Sequence, residues 1–360
     1  MNPTTASGKQ YPYETVADDV LRRIRDGEWA VGERMPTVAD LAGEYPHSRA
    51  TVNRALQTLA EQGYLSLDRG RGIHVRQNRR VLRIGLLVGP SLLEQPTHPF
   101  AALLARAARD HFDTEGVDHR LYIERNELLK EGIPCRNLRQ DLEAGWLDAL
   151  ITAQCNAPGS LHYAPLWRRK AVPLVDLGAQ HDIPHRVCGG GDNALHLALE
   201  LIRERGAREV AFLSYTGADE TKLGRLLDRH GLRTRPEWFR RSQSGLSAEG
   251  RGYMDTKLLW QHDAKPEALL VLDDVVAKGA MVALLEAGVR PPRDLCLVHH
   301  ANRGSGIFYP IDAPRVEYDP ADYIAKAAGL ALALVRDPQL PPRSEGVEPR
   351  LRLEDGTIRE

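Results

Sequence analysis

The hydrophobic pattern of this chain changes its period near residue 80. Before that point, apolar residues recur at helical spacing and two short alternating segments follow. After it, near-continuous apolar runs alternate with helical stretches. The two patterns predict two different kinds of domain. The length of 360 residues agrees, since at about 150 residues per domain it predicts two to three units.

The first part of the chain predicts three helices followed by a hairpin. Apolar spacing indicates a first helix over residues 13–26. Thr37, with Asp40 three residues later, is a capping box that begins a short second helix. Ser48 caps a third helix. Two alternating strands flank a glycine-containing turn, over residues 64–67 and 73–75. Helices and hairpin in this order form a winged helix-turn-helix.

The charge is distributed unevenly along this head. The whole chain has a net charge of −1, which by itself argues against a simple polybasic nucleic-acid binder. Residues 1–46 hold five Lys/Arg and eight Asp/Glu, whereas residues 47–80 hold seven Arg and two acids. The third helix, the wing and the exit strand therefore carry a net charge of +5 (7 − 2). Positive charge on that face suits the neutralisation of phosphates.

The third helix and the wing supply the candidate DNA contacts. Arg can read guanine and Asn can read adenine in the major groove, and the N-terminal end of the helix should enter deepest. The two wing glycines permit a tight turn, and the arginines beside them suit a narrow minor groove. The alternatives are a merely solvated basic face or a protein-binding module. The predicted DNA-binding residues are Thr37, His47, Ser48, Arg49, Thr51, Asn53, Arg54, Arg69, Gly70, Arg71 and Gly72.

The head resembles the GntR-type regulators over about 65 residues. The motifs that carry the likeness are Pro36–Ala42, His47–Leu56, Gly63–Leu65 and Gly70–Gly72. Two departures stand out: Ala39 occupies a position where the family often has Arg, and Pro46-His47 replaces the common Gly-Val. The resemblance implies DNA binding and leaves the operator sequence open.

The remaining 280 residues predict a parallel α/β fold. Strands are expected at 82–88, 117–123, 149–152, 172–177, 210–214, 268–272 and 295–299. Helices are expected at 101–112, 193–205, 275–287 and 322–336. This stretch is too long for one small doubly wound domain, so two lobes are predicted.

This second part resembles the LacI-type effector domain, which is akin to periplasmic sugar-binding proteins. The likeness lies in the order of several short motifs. They are His98–Phe100, Asp148–Ile151, Val187 with Asp192-Asn193, Arg205–Ala211, Pro266–Asp274, Ala277–Gly279 and Gly288–Leu295. A GntR-type head on a LacI-type body is similar to arabinose-responsive repressors. The resemblance implies a two-lobed α/β body with parallel sheets and three crossovers, near 184–187, 295–298 and 316–320.

These considerations predict the domain bounds. The winged helix domain takes residues 1–76, a polar hinge takes 77–81, and the effector-binding and dimerisation domain takes 82–360. Lobe 1 is expected over about 82–185 and 296–318. Lobe 2 is expected over about 186–295 and 319–360.

Family resemblance places an effector in the cleft between the lobes. The residues implied to bind it are Phe100, Lys222, Asp273, Asp274, His300 and Asn302. The sugar-binding Arg of the family has no clear counterpart, and its place falls near Asp219, with Lys222 and Arg225 as substitutes. Ala301 replaces an expected acid. A basic residue with two histidines would also suit a sugar acid or a sugar phosphate. Each residue could instead cap a helix or order a loop.

The sequence thus predicts a ligand-responsive transcriptional regulator. The expected role is a repressor of carbohydrate-utilisation genes, released from its operator by a sugar or sugar derivative. An activator or co-repressor-type regulator is the alternative, with a protein-binding sensor as a third class. The expected partners are double-stranded operator DNA, the effector and a second copy of the chain.

Several other functions find little support in the sequence. No P-loop, GxGxxG or GxSxG motif is present, so we expect no enzyme and no cofactor. The four cysteines form no CxxC pair, which predicts reduced thiols and no metal site. The polar N-terminus and the absence of an 18-residue apolar run predict a cytoplasmic chain without a membrane span.

Overall fold

The computed structural model describes residues 11–359 except 62, 69, 77–81, 90–98, 126–133, 156–164, 179–182, 191, 215–219 and 242–244. The chain divides into two compact units, Met1–Leu82 and Arg83–Glu360, here called the head and the body. The predicted hinge at 77–81 lies outside the described residues.

The head is a winged helix-turn-helix, as the sequence predicts. Its elements are α1 (Pro12–Arg25), β1 (Arg34–Met35), α2 (Val38–Glu44), α3 (Arg49–Glu61), β2 (Leu65–Asp68) and β3 (Gly72–Val75). The three strands form an antiparallel sheet in the order β1-β3-β2. Strand β1 is too short for the sequence pattern to reveal.

One apolar core joins the helices of the head to its sheet. Val20 of α1, Leu41 of α2 and Leu56 of α3 are fully buried, and Val75 of the wing lies on the same cluster. Arg23 adds a polar link between α1 and α2, because its guanidinium donates to both Glu28 and Glu44. These contacts fix the face of α3 that remains exposed.

The body contains two sheets, and the first is entirely parallel. Its strands are β4 (Arg83–Val88), β5 (Asp118–Ile123), β6 (Ala149–Ala153), β7 (Leu174–Leu177), β8 (His185–Gly189) and β14 (Arg343–Val347). Their order is β14-β8-β7-β6-β4-β5. Helices α4 (Phe100–Glu115) and α11 (Pro320–Arg336) cover one face. Helices α5 (Arg136–Glu143) and α6 (Pro165–Lys170) contribute to the core on the other.

The second sheet is parallel except at one edge. Its strands are β9 (Val210–Ser214), β10 (Phe239–Arg241), β11 (Ala268–Val271), β12 (Cys296–Asn302), β13 (Arg315–Tyr318), β15 (Arg350–Arg352) and β16 (Ile358–Arg359). Their order is β10-β9-β11-β12-β13-β15-β16, with β15 and β16 antiparallel to their neighbours. The helices of this lobe are α7 (Asn193–Glu204), α8 (Glu220–His230), α9 (Ala248–Leu259) and α10 (Asp274–Glu286).

The chain crosses between the two sheets three times. It leaves the first sheet after β8 and enters the second lobe at α7, and it returns between β13 and α11. The last crossing runs from Val347 at the end of β14 to Arg350 at the start of β15. The two-lobed α/β architecture with three crossovers is therefore confirmed.

The predicted assignment of chain segments to the lobes was wrong in its C-terminal part. The prediction assigns residues 296–318 to lobe 1, yet β12 pairs with β11 and β13 pairs with β12 in the second sheet. It assigns residues 319–360 to lobe 2, yet α11 packs on the first sheet and β14 pairs with β8. The crossover expected near 295–298 is absent from this described stretch. A buried parallel strand has the same apolar sequence in either sheet, so only pairing distinguishes them.

Candidate nucleic-acid interface and ligand cleft

The exposed face of α3 carries the polar residues that the sequence selects. Arg49 and Arg54 are exposed, while Val52 and Leu56 on the opposite face are fully buried. Asn53 is half-buried beside them. The apolar stripe thus anchors the helix and directs the polar stripe outward.

Two predicted contact residues also begin α3. The Thr51 backbone N–H donates to Ser48 Oγ over 3.2 Å, and Ser48 Oγ lies 2.9 Å from Thr51 Oγ1. Both hydroxyls are therefore engaged in the N-terminal turn of the helix. His47 lies half-buried in the turn just before them.

Arg54 is held by a residue that the sequence reasoning missed. Its guanidinium carbon lies 4.2 Å from the centre of the Tyr13 ring in α1. This cation–π contact orients the cation while the side chain stays exposed. An aromatic residue at the start of the first helix looks like core in the sequence, so nothing in the sequence indicates the pairing.

The wing, between β2 and β3, is a tight turn that carries positive charge. The Arg71 N–H donates to Asp68 O over 3.1 Å, and Gly70 and Gly72 have φ values of +85° and +96°. Both values lie in the left-handed region, which glycine adopts without steric cost. Arg71 is exposed, whereas Arg69 lies outside the described residues.

Thr37 has a local structural role in the second helix. Its backbone N–H and its hydroxyl both donate to Asp40 Oδ2, over 3.0 and 2.6 Å. In return the Asp40 N–H donates to Thr37 Oγ1 over 3.3 Å. These bonds form the capping box that the sequence predicts, and they lower the pKa of the Asp40 carboxyl.

Removal of this cap should destabilise the head. Thr37→Ala is expected to lower the free energy of unfolding by about 1 kcal/mol, because the N-terminal N–H groups of α2 lose an acceptor. Chemical denaturation followed by circular dichroism measures the change. Thr58→Ala is the matched control, since the Thr58 hydroxyl donates to Arg54 O within its own helix. An equal loss in both variants would contradict a specific capping contribution.

At the carboxyl ends of β11 and β12 the structure brings together two predicted effector residues. Asn302 Nδ2 donates to Asp274 Oδ2 over 2.9 Å, and both side chains are buried. Asp273 caps α10 instead, because its Oδ1 accepts from the N–H groups of Val275 and Val276, each over 2.9 Å. Ligands of open α/β sheets bind outside such strand ends.

Two aromatic residues adjoin this pair. Tyr309 lies with its ring centre 4.5 Å from that of His299, and burial, followed by the charge of Asp274, raises the pKa of its hydroxyl. Burial lowers the pKa of His299 to about 4. His299 is therefore neutral at pH 7 and supplies no positive charge to the cleft.

Phe100 and His300 are linked by two tyrosines that the sequence reasoning overlooked. The Phe100 ring meets Tyr323 edge-on at 5.6 Å, and Tyr323 and Tyr318 are 6.0 Å apart. Tyr318 in turn lies 5.6 Å from His300. This aromatic row, Phe100-Tyr323-Tyr318-His300, passes from the first lobe to the second beside the second crossover.

Lys222 is engaged elsewhere. Its amine forms an ion pair with the carboxylate of Asp192, which precedes α7. Lys222 therefore joins α8 to the start of α7, and the described contacts do not bring it to Asp274.

The two lobes come into contact at Arg106 of α4. A Cβ built on Gly304, just after β12, would lie 3.3 Å from the Arg106 guanidinium.

A separate groove of about 570 Å³ lies between α7 and α11. His196, Glu200, Lys326 and Arg350 are among the residues that line it, and none of the predicted effector residues does. We place the candidate effector site at the strand ends because the buried Asp274–Asn302 pair and the aromatic row lie there, whereas the groove is an open surface feature.

Two further kinds of feature are absent from the described residues. They include no group of three His, Cys, Asp or Glu side chains that could hold a metal ion. Among the same residues, no helix has the length and apolarity needed to span a membrane. Cys135, Cys155, Cys188 and Cys296 are free thiols.

Both parts of the chain match known domain families. Residues 12–75 match the gntR family of bacterial regulatory proteins, and residues 199–355 match the periplasmic binding protein-like domain. The chain joins a gntR-type head to a periplasmic-binding-protein-like body. The combination agrees with the resemblances noted in the sequence.

Curated relatives resemble the gntR-type head. Over 58 residues the chain is 38% identical to the HTH-type transcriptional regulator TreR of Bacillus subtilis, covering 16% of this chain and 24% of that protein. Over 67 residues it is 37% identical to the mannosyl-D-glycerate transport/metabolism system repressor MngR of Escherichia coli, covering 19% and 28%. The matched segment thus spans about a quarter of each relative.

Solved structures resemble the two-lobed fold. A complex of the transcriptional regulator CelR with cellobiose has a TM-score of 0.62 at 16% identity, over 97% of this chain and all of that one. The lac repressor dimer bound to operator and the anti-inducer ONPF has a TM-score of 0.61 at 17% identity, over 83% and 96%. At these identities the likeness concerns the fold alone.

Proposed function

We propose that this chain is a ligand-responsive transcriptional regulator that binds operator DNA through its head. The exposed face of α3, which begins with Arg49, together with a glycine-containing basic wing, carries this proposal. Arg and Asn side chains on such a helix can read base edges, while the wing cations contact the backbone or minor groove. Similar heads occur in TreR and MngR, and MngR is by its name a repressor.

The proposed effector is a sugar or a sugar derivative, and the regulated genes serve carbohydrate use. The buried Asp274–Asn302 pair offers a carboxylate and an amide to hydroxyl groups, next to the aromatic row. Polar groups placed among aromatic side chains are typical of small-molecule pockets. A neighbour in fold binds cellobiose, which supports this class of ligand.

The states of Lys222 and His299 favour a neutral sugar. Lys222 is paired with Asp192, and the low pKa of about 4 keeps His299 uncharged. An anionic ligand would instead face Asp274 without these two cations. A sugar acid or phosphate is the second candidate, for which Arg106 near Gly304, Arg225 or His300 would supply the charge.

The effector would control DNA binding by changing the arrangement of the two lobes. An effector can shift the affinity for operator only if it binds one arrangement of the lobes more tightly than another. We propose a homodimer whose two heads read half-sites separated by about 10 bp or a multiple of it. The lac repressor, similar in fold, is a dimer bound to operator. Such a regulator works in the cytoplasm, with no cofactor and no catalytic step.

Two measurements test this proposal. A duplex of about 30 bp selected from a random library should bind with an affinity that falls steeply between about 50 and 200 mM salt. Weak salt dependence would instead indicate a protein-binding sensor. A thermal-shift panel of sugars, sugar acids and sugar phosphates should show stabilisation by one class. The same compound should then change the affinity for the duplex. A lower affinity indicates release from the operator, and a higher affinity indicates co-repression.

A further inference from the structure

Arg34 lies on the wing although it is far from the wing in sequence. It begins β1, and its Cα pairs with that of His74 in the central strand of the head's sheet. The side chain is exposed, whereas the next residue, Met35, points into the core. Arg34 therefore belongs to the outer face of the sheet that carries the wing.

The Arg34 guanidinium lies directly against Gly72. A Cβ built on Gly72 would be 2.7 Å from Arg34 Nε and 3.3 Å from both Cζ and one terminal nitrogen. The absence of a side chain at Gly72 thus leaves the space that the cation occupies. A side chain at Gly72 would push the Arg34 guanidinium aside, and the φ of +96° independently disfavours any other residue there.

The charge of Arg34 is not neutralised within the described part of the head. The ion pairs found there involve Arg22 and Arg23 on α1, with Asp19, Asp26, Glu28 and Glu44. Arg34 forms none with the described residues. A cation that is exposed, positioned and unpaired is available to an anionic partner.

We propose that Arg34 is a DNA-backbone contact that extends the wing, acting with Arg71 on neighbouring phosphates. This inference rests on the proposed function of the head. The charge pattern of the sequence hides it, because Arg34 falls within the acidic first 46 residues. The fold places it next to the basic wing, where Arg34 and Arg71 would each neutralise one of two neighbouring phosphates.

Arg34→Ala should reduce the number of counterions released on binding. For the selected duplex, we expect the slope of log affinity against log salt to become shallower by about one. At 0.1 M salt this corresponds to a loss of affinity of roughly tenfold. Fluorescence anisotropy over about 50 to 200 mM salt measures both quantities. Arg34→Lys should keep the slope, because the charge is retained.

Arg22→Ala is the matched control. It removes one exposed Arg from the head, but its guanidinium is paired with Asp19 and Asp26. For Arg22→Ala, the slope of log affinity against log salt should equal that of the parent chain. A parental slope and affinity in Arg34→Ala would overturn the proposal. A lower affinity with an unchanged slope and a lower melting temperature would overturn it as well, since Arg34 would then only brace the wing. If the parent chain shows no salt-dependent binding, the proposed function of the head fails instead.

Discussion

Arg49→Ala is expected to weaken binding to the selected operator duplex by about 1–3 kcal/mol. Arg49 is the first residue of α3 and is exposed, at the end of the helix that should enter the major groove deepest. A bidentate contact with guanine would be lost, together with a charge. Anisotropy titration of parent and variant at one salt concentration measures the change.

The design of this test separates base reading from charge. Arg49→Lys keeps the charge but loses the bidentate geometry, so it should recover binding to random DNA better than binding to the operator. The control Arg22→Ala should bind like the parent. Unchanged operator affinity in Arg49→Ala would remove Arg49 from the base-reading residues.

Asp274→Asn is expected to abolish most of the response to effector while DNA binding persists. The amide can still accept the hydrogen bond from Asn302, so the local fold should be retained. The lost contribution is the charged acceptor for a ligand hydroxyl, and hydrogen bonds to charged groups contribute about 1.5–3 kcal/mol. The concentration of effector that half-releases the duplex should therefore rise by about tenfold or more. The compound with the largest thermal shift in the panel is the probe.

Asp312→Asn provides the matched control for this variant. Asp312 is exposed and lies between β12 and β13 of the same lobe, so it undergoes the same chemical change away from the strand ends. Its response should match that of the parent. A normal response in Asp274→Asn would show that the effector binds elsewhere, and the groove between α7 and α11 would be the next site to test.

Local signals in the sequence predict the head well. The capping box of Thr37 and Asp40 and the cap at Ser48 are short-range hydrogen-bond patterns, and the structure contains both. The wing follows from glycines whose positive φ values require them. Such features need no information about distant residues.

The body shows where local reasoning fails. The sequence does not predict helix α9 at 248–259, because glycines interrupt its hydrophobic pattern. The structure shows that these glycines allow close packing. A Cβ on Gly252 would lie 2.0 Å from the Val276 carbonyl oxygen, and one on Gly279 would lie 1.9 Å from that of Glu249. The two helices therefore approach backbone to backbone. Only the tertiary fold reveals this reason for glycine.

The candidate ligand site was predictable only in part. Asp274 and Asn302 are 28 residues apart, and their meeting depends on parallel pairing of β11 with β12. The role of Asp273 as a cap follows from its position before α10. Tyr318 and Tyr323 gave no sequence signal, since aromatic residues near a crossover look like ordinary core.

The packing around Gly189 has a mechanical consequence. A Cβ at this position would lie 2.8 Å from the Tyr323 hydroxyl and 3.3 Å from Tyr318 Cζ, so not even one methyl group fits between the first crossover and the tyrosines of the second. The first crossover and the two tyrosines of the second are therefore in direct contact. A relative motion of the lobes would therefore have to carry both connections together or break this contact.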